Sequence, residues 1–297
     1  MQQLKAVPAD GIIDFGVCPP AGGFLRSRTY LNPRRTARWG DAAGMPPAPS
    51  LLSGSMADLL AEMDAAGVAA AVVRGHAMGA RLNESASLPP LVTSNAEIRD
   101  IVRAHPGRFV GMPTIPHEEI AGARELIPKL AGDPDFHGLV LHPHSWPVPV
   151  SAADRTVMYP IYTLCEELGL PLMLTIGGNA GPNLGYNVPL VVDQVASDFP
   201  GLTLVIAHGD WPYVTEILHV AFRRENLVLS PDMYLYGMPG WRDYLDAANG
   251  FLQDRFLYAS MHPYVPLTGA VAWCREHLSP DAFRKVTREN AVRLLAL

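Results

Sequence analysis

The chain alternates short apolar runs with segments of helical periodicity, and this alternation constrains its fold more than any other feature. Several runs are continuously apolar, as in LTLVIA at 202–207, which is typical of parallel strands covered on both faces. No glycine-rich phosphate loop follows any run, which disfavours a nucleotide-binding doubly wound sheet. The pattern therefore predicts an α/β fold, a (β/α)8 TIM barrel in one domain over 1–297. The eight predicted strands are 12–15, 69–73, 109–112, 138–142, 171–175, 202–207, 227–230 and 256–259.

Serine residues mark the starts of three predicted helices. Ser55 and Ser94 are each followed three residues later by an acidic residue, which is the pattern of a capping box. Ser279 precedes Pro280, and this pair offers an N-cap with a proline at the first helical position. These signals predict helices that begin directly after each serine.

The segment 19–55 is the main irregularity of the pattern. It is rich in Gly, Pro and Arg, and it is much longer than an ordinary βα loop of about two to six residues. In a barrel this insertion after strand 1 would be a long loop acting as a lid over the mouth, and a disordered segment is the alternative. We expect one or two of its arginines to reach the site; they are Arg26, Arg28, Arg34, Arg35 and Arg38.

Charge and composition limit the partners of the chain. A net charge of −6 and a pI near 5.9 argue against a nucleic-acid partner, which needs a basic face. No N-terminal segment resembles a signal peptide, and the longest apolar run, 65–73, is too short to span a bilayer. Three widely spaced cysteines do not make a disulfide framework. We expect a cytoplasmic protein with a small-molecule substrate and no membrane partner; barrels often pair through their outer helices, which leaves a homodimer open.

Five segments, spread in order over nearly the whole chain, carry the pattern of a known family. They are LLAEMDAAGVAAAVV (59–73), NAEIRDIVRAHPGRFVGMPTI (95–115), YPIYTLCEELGLPLML (159–174), FPGLTLVIAHGDWPYVTEIL (199–218) and RENAVRLLAL (288–297). In them the chain resembles the amidohydrolase-related family, the second large branch of the metal-dependent hydrolases, which includes 2-pyrone-dicarboxylate lactonase. The resemblance implies a distorted barrel with its site at the carboxyl ends of the strands. Members include metal-dependent hydrolases, decarboxylases of aromatic or unsaturated acids, and lactonases, some working without metal.

The same resemblance implies that most of the family's metal ligands are missing here. The family has a His-x-His pair after strand 1, a lysine in some members on strand 4, a histidine on strand 5 and an aspartate on strand 8. The residues at these positions of the chain are, in order, Gly16, Cys18, Val140, Thr175 and Met261.

The sixth-strand histidine of the family is kept as His208. A catalytic zinc normally takes three protein ligands, which one histidine cannot supply. We therefore predict no metal ligands and no cofactor. The alternative is a metalloenzyme with an unusual ligand set that adds Cys18 and His262 to His208.

Three residues are the catalytic candidates. His208 follows a predicted strand at the end of the barrel where enzymes place reacting groups, and its ordinary pKa suits proton transfer at neutral pH. Asp210 and Asp232 lie just beyond the sixth and seventh strands and could orient the imidazole or take its proton. A structural histidine bound to a backbone carbonyl is the alternative for His208.

Further polar and aromatic residues near the strand ends are candidates for substrate binding. Arg74 follows the second strand and offers a planar, permanently charged group for a carboxylate or phenolate. Strand alternation places His142 on the same face as Val140, so we expect it to point into the site. Each could instead be structural. The predicted substrate-binding residues are Arg74, His142, His144, Thr175, Trp211, Tyr234, His262, Tyr264 and Cys18.

These features together predict an enzyme of acid–base chemistry that acts without metal. Its substrate would be a small cyclic or aromatic molecule carrying a carboxylate or an enolisable carbonyl. Lactone or C–C hydrolysis, decarboxylation, and cyclisation or dehydration all fit such a site. Met261 at the place of the family's eighth-strand aspartate makes ordinary hydrolysis doubtful and leaves room for a lyase or isomerase. An inactive barrel that only binds a ligand is the alternative.

Overall fold

Parallel strands form the centre of the fold in the computed structural model, which describes residues 7–78 and 89–297. Seven of the eight predicted strands are present at the predicted places, because their apolar runs are buried on both faces. A short antiparallel hairpin, β3 with β4, was not predicted. The strands are β1 Ile12–Val17, β2 Val68–Arg74, β3 His76–Ala77, β4 Val92–Thr93, β5 Phe109–Met112, β6 Leu139–Leu141, β7 Leu172–Thr175, β8 Leu204–Ala207 and β9 Leu227–Ser230.

The strands make two parallel arcs that isolated bridges join into a distorted barrel. One arc has the order β1-β2-β5 and the other β6-β7-β8-β9. Bridges from Thr114 to Val140 and from Gly111 to Phe136 connect the arcs on one side. Bridges from Leu229 to Phe256 and from Val17 to His262 close the other side. The predicted TIM-barrel fold is confirmed.

The predicted eighth strand, 256–259, is an extended segment and not a regular strand. It reaches β1 through a hydrogen bond from the Phe15 N–H to the Tyr258 carbonyl at 2.9 Å. Just beyond it, the buried Asp14 carboxylate accepts the backbone N–H groups of Ser260 at 3.1 Å and of Gly16 at 3.0 Å. A side chain thus takes bonds that a regular ladder would use, which explains why the strand prediction fails here.

The barrel interior is filled by alternate residues from each strand. Ile13 and Phe15 of β1 lie in it, and the other strands add Val72, Val110, Met112, Val140, Met173, Val205, Ala207 and Val228. Ala291 and Leu295, from the last helix of the chain, pack against the same cluster. Because this cluster fills the interior, we expect chemistry at the carboxyl ends of the strands.

Helices surround the strands, and the three serine caps are confirmed. The side chains of Ser55, Ser94 and Ser279 each accept a backbone N–H of the following helix. Within the described ranges, no helix has both the length and the apolarity needed to cross a membrane. The α-helices are α1 Gly22–Leu25, α2 Arg28–Leu31, α3 Pro33–Asp41, α4 Pro49–Ser53, α5 Met56–Ala66, α6 Asn95–Ala104, α7 Ala123–Ala131, α8 Tyr159–Glu167, α9 Pro189–Asp198, α10 Val214–Arg223, α11 Trp241–Asn249, α12 Leu267–His277, α13 Pro280–Arg284 and α14 Asn290–Leu295.

The inserted segment 19–55 is ordered as the four short helices α1 to α4, so the disordered alternative is wrong. Hydrogen bonds fix it to the mouth of the barrel: the Tyr30 hydroxyl donates to the Cys18 carbonyl at 2.8 Å, and the Gly40 N–H donates to the Tyr264 carbonyl at 3.1 Å. Ser50 Oγ lies 2.8 Å from His262 Nε2. We name residues 19–55 the lid segment.

Candidate functional site

The mouth of the barrel holds a cavity of about 90 Å³, built where the strands end. Arg74, Thr175 and His208 line it at the carboxyl ends of β2, β7 and β8, and α2 and α3 of the lid segment close it from above. Among the described residues its wall has four arginines and no carboxylate. The basic and imidazole side chains of the wall are Arg28, Arg35, Arg38, Arg74, His76, His142 and His208.

A buried ion pair lies at the floor of this cavity. Arg74 donates to Asp232 from Nη1 at 2.9 Å and from Nη2 at 3.1 Å, and it donates to the Phe15 carbonyl from Nε at 2.9 Å. Burial alone would raise the pKa of Asp232, but the guanidinium and the nearby His208 hold that pKa below its ordinary value. Asp232 is therefore a fixed anion at neutral pH.

The five N–H groups of Arg74 are all occupied within the chain, which corrects the prediction that this residue grips the substrate. Besides Asp232, the guanidinium donates to the Phe15 carbonyl a second time, from Nη2 at 2.6 Å. It also contacts Met261 Sδ, 3.4 Å from Nη1. Since a guanidinium has five donors, this set uses them up. Arg74 acts on the cavity through its charge and by holding Asp232.

His208 is placed on this ion pair by a tight turn directly after β8. Its Nδ1 lies 3.0 Å from Asp232 Oδ2, within ion-pair distance although without the alignment of a hydrogen bond, and its backbone N–H donates to the same oxygen at 3.3 Å. The ring meets Tyr234 edge to face with centroids 5.7 Å apart. This arrangement leaves Nε2 for the cavity.

Backbone strain is concentrated in three residues at the mouth of the barrel. His208, Asp232 and Met261 have φ values of 63°, 56° and 49°, in the left-handed region that residues other than glycine rarely occupy. Such strain persists where the surroundings fix the conformation, and it is frequent at functional sites. Asp232 and Met261 contact the Arg74 guanidinium, and His208 contacts Asp232.

Gly16 has no side chain because the guanidinium fills the space beside it. A Cβ atom at this position would lie 2.6 Å from Arg74 Nη2 and 2.9 Å from Met261 Sδ. A histidine, which the family pattern has here, would collide with Arg74. The ends of β1 and of the extended eighth segment are therefore joined by a permanent cation.

Aromatic rings form one side of the site. Tyr234 lines the cavity, and Trp39 of the lid segment meets it edge to face at 4.9 Å. Trp211 stacks on Tyr234 at 4.9 Å with an interplanar angle of 17°, but it does not line the cavity. Trp211 supports the aromatic wall from behind, contrary to its prediction as a substrate contact.

The structure brings together only part of the predicted site. Arg74, His142, Thr175, His208, Tyr234 and Tyr264 line the cavity, and Asp232 lies directly beneath it. The other predicted residues lie elsewhere, for the physical reasons that follow; they are Cys18, His144, Asp210, Trp211 and His262.

Two of these outlying residues have structural hydrogen bonds. His144 accepts the Ala152 N–H at Nε2 and lies 3.4 Å from the Asn187 amide oxygen at Nδ1, so it orders a loop. Burial lowers its pKa to about 4. His262 contacts Ser50 of the lid segment and is fully buried, which lowers its pKa to about 3. Both rings remain neutral at physiological pH.

Cys18 and Asp210 are buried and do not line the cavity. Burial raises the pKa of the Cys18 thiol to about 12, so it is no nucleophile at neutral pH. Burial also raises the pKa of Asp210 well above its ordinary value, and its carboxyl oxygens have no partner among the described residues. Asp232, and not Asp210, is the carboxylate that lies beside His208 Nδ1.

The sequence reasoning missed His76, which lines the cavity from β3. Its signal was present: a residue two places after Arg74 lies on the same face of an extended chain. Arg28, Arg35 and Arg38 also line the cavity, three where one or two lid arginines were expected. Arg26 instead pairs with Glu97 on the surface.

A closed barrel with titratable side chains at the carboxyl ends of its strands defines a barrel enzyme. The amidohydrolase family model Amidohydro_2 matches residues 30–297, and the chain belongs to this family. No curated protein is significantly similar to the chain.

Solved structures share the fold over almost the full length. An uncharacterised TIM-barrel protein from Bordetella bronchiseptica is 40% identical, with 96% of this chain and 98% of that chain covered and a TM-score of 0.86. The 5-carboxyvanillate decarboxylase from Novosphingobium aromaticivorans, complexed with manganese and 4-hydroxy-3-methoxy-5-nitrobenzoic acid, is 16% identical with 100% and 99% covered and a TM-score of 0.62. The 4-oxalomesaconate hydratase from Rhodopseudomonas palustris is 19% identical with 96% and 95% covered and a TM-score of 0.61.

The manganese in the decarboxylase structure corrects the prediction that no cofactor is involved. That prediction was based on the residue types at the ligand positions of this chain. The manganese-bound structure indicates that a metal cofactor occurs in the family. The residues at those positions do not fit an ion here, since Gly16 and Met261 pack against the Arg74 guanidinium. In residues 7–78 and 89–297, no three His, Cys, Asp or Glu side chains are grouped to hold a metal.

Proposed function

We propose that the chain is a lyase that acts by acid–base chemistry on small aromatic or unsaturated carboxylic acids. The observation that carries the proposal is the pairing of His208 with the buried Asp232 at the floor of a cavity whose described wall has arginines and no carboxylate. Two decarboxylases and a hydratase have the same fold, and their names identify organic acids as their substrates. They support the substrate class proposed here.

The lid segment supplies the anion-binding part of the proposed site. Arg38 lines the cavity from α3, with its guanidinium 5.1 Å from the ring centre of Trp39. A guanidinium can bind a carboxylate through two parallel hydrogen bonds. The cation of Arg74 beneath the cavity adds a field that favours negative charge on the bound molecule.

His208 carries the proton in the proposed reaction. Asp232, held as an anion by Arg74, faces Nδ1 and stabilises the imidazolium, so Nε2 can deliver a proton to a substrate carbon. In a decarboxylation the C–CO₂⁻ bond breaks, its electron pair stays on the substrate carbon, and the proton from Nε2 completes the product. In the reverse sense the same nitrogen removes a proton.

The residue at the position of the family's eighth-strand acid favours a lyase over a hydrolase. That acid is expected to help activate water, and Met261 stands at its position here. The thioether of Met261 accepts a hydrogen bond from Arg74 and cannot take a proton from water.

A panel of aromatic and unsaturated carboxylic acids tests the proposal. The purified full chain is incubated with each acid, with and without added Mn²⁺, and loss of acid and release of CO₂ or hydrated product are measured. We expect at least one acid to be turned over, and His208→Gln to reduce kcat by about 10²- to 10⁴-fold while its affinity changes little. His219→Gln, at an exposed position of α10, is the matched control.

Two outcomes contradict the proposal. If the wild type binds acids but converts none, the chain is a ligand-binding barrel. If His208→Gln keeps the wild-type rate, proton transfer does not depend on His208.

A further inference from the structure

His76 is fixed in one orientation at the edge of the cavity. Its ring meets Phe24 of the lid segment edge to face at 5.6 Å and lies 5.0 Å from the His142 ring. Only 5% of the residue is exposed, and it lines the cavity. A side chain held from two sides presents the same atom to any bound molecule.

The hydrogen bond of His76 determines its tautomer. Nδ1 lies 2.9 Å from the Arg74 carbonyl oxygen, and because a carbonyl can only accept, Nδ1 carries the proton. The neutral ring then has its lone pair at Nε2. In the described part of the chain no group hydrogen-bonds to Nε2, and this edge of the ring is left for the cavity.

The surroundings keep the ring neutral. Burial, reinforced by the Arg74 cation, lowers the pKa of His76 to about 3. The adjacent His142 is also neutral, because burial lowers its pKa well below the ordinary value. His76 therefore offers an acceptor in a cavity whose arginines are all donors.

We propose that His76 is a specificity-determining residue whose Nε2 accepts a hydrogen bond from a hydroxyl group of the substrate. The inference rests on the proposed function and deepens it: arginines bind the carboxylate, and His76 selects acids that also carry a hydroxyl. A site that hydrogen-bonds a hydroxyl rejects the analogue without it, since its acceptor is then left buried and unpaired.

Matched ligands test this role without turnover. Binding of benzoate and of 2-, 3- and 4-hydroxybenzoate is measured by calorimetry for the wild type, His76→Phe and the control His219→Phe. We expect the wild type to bind one hydroxybenzoate about tenfold or more tightly than benzoate, which is the value of one hydrogen bond. His76→Phe should reduce this ratio to below about twofold while its affinity for benzoate is kept.

A second measurement on the wild type does not depend on a variant that folds. The ¹⁵N resonances of His76 should show a pyridine-type Nε2 and a pyrrole-type Nδ1 between pH 5 and 8. A pyrrole-type Nε2 overturns the proposal. Equal affinities for benzoate and all three hydroxybenzoates also overturn it, and so does undetectable binding of all four ligands. An unchanged ratio in His76→Phe also overturns it. These binding measurements do not depend on turnover, so the lyase proposal is tested separately by its own assay.

Discussion

Asp232 accepts two parallel hydrogen bonds from Arg74, at 2.9 and 3.1 Å, with both side chains almost completely buried. This pair joins the end of β2 to the end of β9 across the mouth of the barrel. It also holds the oxygen that faces His208. The position of the catalytic candidate thus depends on an ion pair that itself faces away from solvent.

Removing one partner of this pair should destabilise the protein strongly. Arg74→Met leaves the Asp232 charge buried without compensation, which costs about 3–5 kcal/mol of unfolding free energy. Arg74→Met/Asp232→Asn should be less destabilised than the sum of the single variants by about 1 kcal/mol or more, measured by urea unfolding. Arg242→Met, at an exposed position, is the control. Strict additivity of the two changes would contradict the coupling.

A single methyl group at position 16 should disturb the site. Gly16→Ala places a Cβ atom 2.6 Å from Arg74 Nη2, so the guanidinium must move and break its bonds with Asp232. We expect a loss of about 1–3 kcal/mol in unfolding free energy, as for other overpacked sites. Gly122→Ala meets nothing within 4 Å and is the matched control. Equal stability of the two variants would show that the guanidinium is free to shift.

The stability of the protein should depend on the protonation of Asp14. Burial raises the pKa of this carboxyl to about 6, against 3.8 for the ordinary group. The folded state then binds the proton more tightly than the unfolded chain, so the contribution of Asp14 to stability is greatest below pH 3.8 and is lost as the pH rises from about 3.8 to about 6. The loss amounts to about 3 kcal/mol. Asp14→Asn keeps an acceptor oxygen and should lack this component.

Unfolding by urea at intervals between pH 4 and 7 measures the difference between wild type and Asp14→Asn. We expect the difference in unfolding free energy to change in favour of the variant as pH rises. A difference that stays constant over this range would mean that Asp14 has the same pKa in the folded and unfolded states.

The thiols should be inert in the native protein. Cys18, Cys165 and Cys274 are buried, and burial raises the pKa of each to about 12. We expect no reaction with a chromogenic disulfide reagent at pH 8, and reaction of all 3 cysteines after denaturation. One rapidly reacting native thiol, mapped to Cys18, would restore the nucleophile hypothesis for that residue.

Most of the barrel could be predicted from the sequence because its signals are local. Apolar runs located seven strands, and serine caps located the starts of three helices. The prediction of the last strand was wrong because Asp14, which is distant in sequence, accepts a hydrogen bond from the backbone N–H of Ser260.

The site could be predicted only in part, since strand ends locate side chains but not their partners. His208 and Asp232 were found by position, whereas the use of all five Arg74 donors depends on three other parts of the chain. The Gly and Pro content of the lid segment indicated a loop, so its helices were not predicted. Pro33 and Pro49 nevertheless begin α3 and α4, where a proline at the first position favours a helix. The predicted homodimer and cytoplasmic location stay predictions.

The Arg74 guanidinium occupies the space that a side chain at position 16 would need. This limits the order in which substitutions at the two positions can be accepted. A larger residue at position 16 becomes acceptable only after position 74 has become smaller. A mutation at position 74 in turn leaves Asp232 without its cation, unless that residue changes as well. Two substitutions, at positions 74 and 232, must therefore precede a larger side chain at the end of the first strand, so this end of the barrel resists change one residue at a time.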